Sequence, residues 1–537
     1  MRQMGKLRYI FSSPNPGRPY FRGSFMDYRI KDNAFVVLDD TKVVRACETE
    51  RFTKNKHDFR LPTSAKYAYL ASLPKDNDVE IDYIPNDIIP YEHHDAHIYE
   101  SFYQSGFREA AVMVNDGMGN RGECLTLAYM KEGNAPVILK KFKKDDSPCI
   151  AYSIASSMIF DSDFAEGKFM GLAGYGENNG RKYITWNAEE SKIETDTDIL
   201  KSDIKAIKAN QKDIMQFKDI AFTVQHGFEE VLLEVVRYFK KLLEEAGCQT
   251  ENFCMSGGGV LNCPTNSKIV NLGLFKHFYA SPQPSDGCAE SIGRAFITIE
   301  ATQEDKIVSK RLDTPYLGLC YTKDFFESPV RPVHYLNKNV SVLLDHLENG
   351  GVIAWFQDGA EYGPRALGHR SFLADPCKKE MLDSLNRIKA RENWRPLAPI
   401  VPEELFTRIF DVNNTDMCEF MLRTLTIKEG WRKRLQAVCH VDGTTRPQLL
   451  KKELNPELYT LIMEYFKRTH IPCLINTSLN INGFPIVETP QNFYDVCEEI
   501  AFLKDTPPLK PIYIENGSFY EVHVKHLEEM PEQSWTC

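Results

Sequence analysis

The chain has 537 residues, of which 42% are apolar, 11% aromatic and 26% charged, with a formal net charge of −10. That supports two or three buried cores at ~150 residues each, and the acidic balance argues against a surface built to neutralise nucleic-acid phosphates. Fourteen cysteines run from Cys47 to Cys537 without a C-x-x-C pair, no leader segment is expected, and no run reaches the ~18 apolar residues of a membrane span, so a cytoplasmic globular protein with free thiols is expected.

In chain order, NAFVVLDD (33–40) and KVVRACETE (42–50) predict a β-hairpin turning at Asp39-Asp40-Thr41. YEHHDAHIYESFY (91–103) predicts a helix with His93 and His97 one turn apart on one face. AAVMVNDG (110–117) predicts a buried strand running into Asp116 and Gly117, and LTLAYM (125–130) a second hairpin. Residues 218–247 place apolar side chains three and four apart, an amphipathic helix that stops at Gly247, and the strand NFCMS follows. Residues 309–330 are rich in turn formers and weakly periodic, which puts a boundary between units 1–325 and 326–537. Beyond it, arginine and glycine become dense in loops, with a helix near 379–389 and a strand in IPCLIN (471–476). No internal repeat shows in the sequence. Strand, hairpin and helix units with glycine-rich turns predict a nucleotide-binding α/β fold in two lobes with a cleft between them.

Three groups of residues carry chemistry. His93 and His97 either converge on a metal or lie on an amphipathic helix whose aromatics pack inward. Asp116 and Asp286, in PQPSDGCAESIGRA, would complete a mixed N/O set suited to Fe(II), Zn(II) or Mn(II). Gly257, Gly258 and Gly259 followed by Asn262 either cradle phosphate or ribose with backbone N–H groups or serve as a tight packing turn. Arg365, Arg370, Lys389, Arg391, Arg395 and Arg446 sit among glycine, proline and asparagine rather than on alternating-charge helices. With Ser478 and Asn480 they predict a pocket for a dianion.

The segments EHHDAH, NDGMG, EGKFMGLAGYG, SGGGVLNC, GPRALGHRSFLADP, WRPLAP, HVDGTTRPQ and NTSLNINGFPIV occur in this order along the chain. In order and approximate spacing they resemble the O-carbamoyltransferase family of the NodU/CmcH/TobZ type, from about Glu48 to Pro490. The resemblance implies an actin-like ATPase (ASKHA) unit, similar to the metal enzymes that make threonylcarbamoyladenosine in tRNA, followed by a YrdC-like unit. It implies that carbamoyl phosphate and ATP, with Mg(II), give carbamoyl adenylate, and that the carbamoyl group passes to a hydroxyl of a small-molecule natural product. His93, His97, Asp116 and Asp286 match the family's metal ligands, with Fe(II) the expected ion. Lys56, in ERFTKNKHD, matches an active-site lysine. Gly117, Lys168, the triple glycine and Asn262 fall to nucleotide binding, and the arginines, Lys389, Ser478 and Asn480 to carbamoyl phosphate and ATP. The chain departs from the family's HDSSAAL opening: IKDNAFVVL has Lys31 before Asp32 where a histidine is expected, leaving His57 or a metal-activated acceptor oxygen to take the proton, with Asp32 also expected among the catalytic residues. A monomer or homodimer without nucleic acid or membrane is expected. A tRNA-modifying enzyme and an actin-like regulatory ATPase are the rival readings.

Overall fold

The computed structural model describes residues 6–12, 34–39, 42–48, 50–54, 80–84, 92–209, 213–302, 307–327, 332–337 and 339–524. The first expected hairpin is present: strands Ala34–Asp39 and Lys42–Glu48 pair antiparallel. Ala34, Val36 and Leu38 are buried, the alternate positions of a strand with one face on a core. Strand Lys6–Ser12 pairs antiparallel along the other edge of Ala34–Asp39, and Glu80–Ile84 adds parallel to Lys6–Ser12.

A second sheet repeats that plan. Strands Glu109–Asn115, Glu123–Lys131 and Val137–Lys143 form an antiparallel meander. Asn252–Ser256 then adds parallel to Glu109–Asn115, and His277–Tyr279 parallel to Asn252–Ser256. Every residue of Glu109–Asn115 after the first is buried, as a central strand covered on both faces requires. The amphipathic helix is Lys218–Glu245, with Val224, Phe228, Val231, Val235 and Phe239 among its buried residues.

Helix His93–Tyr103 packs on the second sheet, helix Cys288–Thr302 on the first, and the two helices on each other. A Cβ at Gly293 would fall inside contact distance of the Ala96 carbonyl, so the backbones cross nearly touching. Two sheets that share a four-strand plan, the second with His277–Tyr279 added, enclosing two exchanged helices, match the duplicated plan of the actin-like ATPase fold. The duplication lies in strand order and direction, which apolar patterning encodes without residue identity; hence no repeat is visible in the sequence.

The later part is also α/β. It is built on a mixed eight-stranded sheet in the order Val333–Asn337, Ser518–Val522, Leu509–Glu515, Val352–Gln357, Arg370–Ala374, Leu474–Ser478, Ala398–Pro402 and Gln448–Leu450. Its core spans Phe326 to Val524. The first core, from Ala34 to Ile307, also takes in Tyr362, Leu367, Met417, Phe420, Met421 and Leu422, so the two parts interlock. Among the described residues no helix is long and apolar enough to cross a membrane.

Candidate active site

His93 and His97 occupy the first two turns of helix His93–Tyr103, and their Nε2 atoms are 3.2 Å apart. Asp286, two residues before the partner helix Cys288–Thr302, places Oδ1 3.1 Å from His93 Nε2 and 3.2 Å from His97 Nε2. Among the described residues these three offer ligand atoms within 4.8 Å of one another. Asp116 follows strand Glu109–Asn115; its Oδ2 lies 3.5 Å from His93 Nε2, and its Oδ1 accepts from the Gly258 N–H at 3.0 Å. The helix crossing held by Gly293 therefore brings the four expected ligands together, with Asp116 at the edge of the group.

This donor set fits a divalent transition metal. His97 Nδ1 lies 2.8 Å from Ser256 Oγ, a partner that leaves the Nε2 lone pair toward the cluster. Burial pushes the His93 imidazolium down, but Asp286 and Asp116 outweigh it and hold the group well above its ordinary value. Burial likewise pushes Asp286 up, and His93 and His97 bring it well below the usual carboxylate range. His94 is different: its Nδ1 lies 2.7 Å from Thr126 Oγ1, and burial pushes it down to about 3, so it is a core histidine.

A cavity of about 1230 Å³ runs from this cluster to the second expected group. Its wall includes His93, Asp116 and Asp286 at one end and Arg365, Arg391, Arg395 and Arg446 at the other. Arg365 Nε, Arg391 Nη2 and Arg446 Nε are shielded from solvent and meet no acceptor. Burial, with Arg446 adding repulsion, pushes Arg365 down to about 9, and burial with Arg395 and Arg446 does the same to Arg391. The nearby carboxylate, Glu392, is shared by Lys168 at 3.1 Å and Arg395 at 3.6 Å. Neighbouring guanidiniums with unfilled, shielded donors suit an anion.

The other expected residues divide. Gly117, Lys168, Gly258, Gly259, Asn262, Lys389, Ser478 and Asn480 also line the cavity. Lys389 Nζ is held by the Ser478 carbonyl, by Ser478 Oγ at 3.1 Å and by Asn480 Oδ1 at 2.6 Å. Asn262 caps helix Cys263–Asn271 and exchanges hydrogen bonds with Gln225 at 2.9 and 3.0 Å. Gly257 is outside the cavity wall; it has φ +94°, and a Cβ would run into the Asn115 backbone, so its role is close packing. Arg370 is outside the wall as well: it donates to the carbonyls of Gln357 at 2.5 Å and Asp358 at 2.9 Å and lies 3.5 Å over the Phe356 ring. Asp32, Lys56 and His57 lie outside the described residues.

Two groups went unnoticed in the sequence. His440 lines the cavity with its Nδ1 3.5 Å from Asp442 Oδ1, its ring set against Gly174, where a Cβ would collide with it. Its place inside HVDGTTRPQ, beside Arg446, was the available signal. Glu100, one turn beyond His97, is fully buried and accepts from Ser256 Oγ at 3.2 Å; nothing in sequence separates it from a surface glutamate.

Residues 84–296 match the model of the carbamoyltransferase N-terminus and residues 344–503 that of the carbamoyltransferase C-terminus. The nodulation protein NolO of Bradyrhizobium diazoefficiens is 30% identical over 74% of this chain and 74% of that protein. The chain belongs to the carbamoyltransferase family. Within that family, the 3'-hydroxymethylcephem-O-carbamoyltransferase of Streptomyces clavuligerus is 33% identical over 45% of each chain. HypF of T. kodakarensis overlaps at 13% identity with a TM-score of 0.30, over 55% of this chain and 47% of that one, too little to bear on the fold. The match to the carbamoyltransferase N-terminus model begins at residue 84, after the departure from HDSSAAL.

Proposed function

We propose that this carbamoyltransferase consumes carbamoyl phosphate and ATP at the arginine-lined end of its cavity and carbamoylates a small-molecule hydroxyl at the metal end. The observation that carries this reading is the cavity whose wall runs from His93, Asp116 and Asp286 to the half-buried arginines. A labile acyl adenylate made at one end can pass to the other along that shared wall, which shortens its exposure to hydrolysis.

In this reading unit 1–325 performs transfer and unit 326–537, YrdC-like, performs activation. Arg365, Arg391 and Arg446 hold the phosphate of carbamoyl phosphate, and Ser478 and Asn480, positioned by Lys389, orient its carbamoyl end. Water hydrolyses carbamoyl phosphate to carbamate and phosphate, the carbamate oxygen attacks the α-phosphorus of ATP, and pyrophosphate is released with carbamoyl adenylate. A divalent metal held by His93, His97 and Asp286, with Asp116 beside them, supplies Lewis acidity when bound. The acceptor hydroxyl attacks the carbamoyl carbon, its proton is lost to solvent or a base of the cavity wall, and AMP leaves. The cephem relative's name describes transfer to a hydroxymethyl group, which supports an alcohol acceptor here.

The test follows pyrophosphate release and acceptor carbamoylation in parallel, across a panel of hydroxylated natural products with carbamoyl phosphate and ATP. His97→Ala should release pyrophosphate and form little product; Arg446→Ala should stop both. If His97→Ala stops pyrophosphate release as fully as product, the two-ended reading gives way to a single composite site.

A further inference from the structure

A chain of buried hydrogen bonds leaves the metal cluster on the side away from the cavity. His97 Nδ1 meets Ser256 Oγ at 2.8 Å, and Ser256 Oγ donates to Glu100 Oε2 at 3.2 Å. On the far side Gln104 Nε2 donates to Glu100 Oε1 at 3.1 Å, and Tyr362 Oη donates to Gln104 Oε1 at 3.0 Å. Tyr362 opens the segment Tyr362-Gly363-Pro364-Arg365, which carries a guanidinium of the anion pocket. None of Ser256, Glu100, Gln104 or Tyr362 is in the cavity wall, and all are buried, none above 3% exposure.

Ser256 Oγ also lies 3.2 Å from the Pro284 carbonyl, so Glu100 is one of two acceptors its hydroxyl can take. With the Ser256 hydroxyl turned toward Glu100, an imidazole N–H, a hydroxyl, an amide N–H and a phenol O–H each find one acceptor, and both directions end on the two oxygens of Glu100. A carboxylate is the side chain that accepts from both sides without placing a donor against a donor. The Tyr362 segment also meets the loop that carries Asp286 through its backbone. Gly363, at φ +97°, leaves no room for a Cβ against the Pro282 carbonyl, four residues before Asp286. Arg51 Nη2 donates to the Gly363 carbonyl at 2.7 Å, pinning the segment from its other face.

We propose that Glu100 and Tyr362 are positioning residues shared by the two ends of the cavity, through which the orientation of His97 and the placement of the Arg365 segment depend on each other. The metal half of this proposal stands on geometry alone; the anion half rests on the functional reading above.

The test uses Zn(II) affinity, by competition with a chromophoric chelator, and carbamoyl phosphate affinity of the metal-free protein, by calorimetry. Glu100→Gln should weaken Zn(II) about 10- to 100-fold, the usual cost of losing a partner behind a ligand. Tyr362→Phe, which removes one oxygen and keeps the ring in place, should weaken Zn(II) several-fold although it touches no ligand. The double variant should lose no more than the worse single variant, because both cut one chain. Unchanged Zn(II) affinity in Tyr362→Phe, or losses that add, overturns the proposal. If the wild-type protein binds no carbamoyl phosphate, the functional reading falls while the Zn(II) arm still decides the relay; thermal melts of both single variants confirm that folded protein is compared.

Discussion

Arg365, Arg391 and Arg446 leave guanidinium nitrogens buried without acceptors while repelling one another, whereas Arg370, a few residues along from Arg365, spends its donors on backbone carbonyls. The same side chain therefore has opposite energetic signs at neighbouring positions. Arg446→Ala relieves repulsion in the free protein and removes a charge-assisted contact worth about 2–3 kcal/mol from the bound one. Carbamoyl-phosphate-dependent ATP/pyrophosphate exchange should fall at least ~30-fold while the melting temperature holds or rises; a variant that exchanges normally removes Arg446 from the site. Arg370→Met should do the reverse, losing about 2–3 kcal/mol in urea unfolding as buried carbonyls lose a charged donor.

At the scale of elements, the cluster of His93, His97 and Asp286 is a property of one helix crossing. His93 and His97 lie on helix His93–Tyr103, and Asp286 precedes helix Cys288–Thr302. The distance between them is set where Gly293 meets the Ala96 carbonyl. Gly293→Ala should destabilise by about 1–3 kcal/mol through overpacking and should also weaken Zn(II) binding at least tenfold, because the helices part where the ligands converge. Gly430→Ala, where a Cβ meets nothing within 4 Å, is the matched control and should change neither melting temperature nor metal titration. Equal metal affinity in both variants would detach the centre from the crossing.

Across the whole molecule, the early and late parts are tied by buried polar contacts as well as by interlocked cores. Arg51 reaches Glu488 at 3.8 Å and the Gly363 carbonyl at 2.7 Å. Glu488 also accepts from the Leu319 N–H at 3.2 Å. Removing one partner strands a buried charge, so Glu488→Ala should cost about 3–5 kcal/mol. Urea unfolding followed by tryptophan fluorescence should show one transition in the wild-type protein, because side chains of the later part, among them Tyr362, Leu367 and Met421, are built into the first core. In Glu488→Ala that transition should move to lower urea; a midpoint equal to the wild type's would mean the contact carries no stability.

Local pattern determined much of this protein by itself. The hairpin at residues 34–48, the buried strand before Asp116, the long amphipathic helix, the i, i+4 histidines and the density of arginine among loop formers are all written in residue spacing, and spacing is what short-range sterics and amphipathicity read. Only the tertiary structure decided the rest, because it depends on residues far apart in the chain. Asp286 joins His93 across 193 positions through a helix crossing that one glycine permits. Arg370 and Arg365 part company because a strand turns one inward to backbone carbonyls and a loop turns the other into the cavity. The duplication of the two sheets is legible in strand order alone. Glu100 resembles any exposed helical glutamate until Ser256 and Gln104 are brought against it; a hydrogen bond between distant residues leaves no period in the sequence, so the relay and the shared cavity became visible only once the chain was folded.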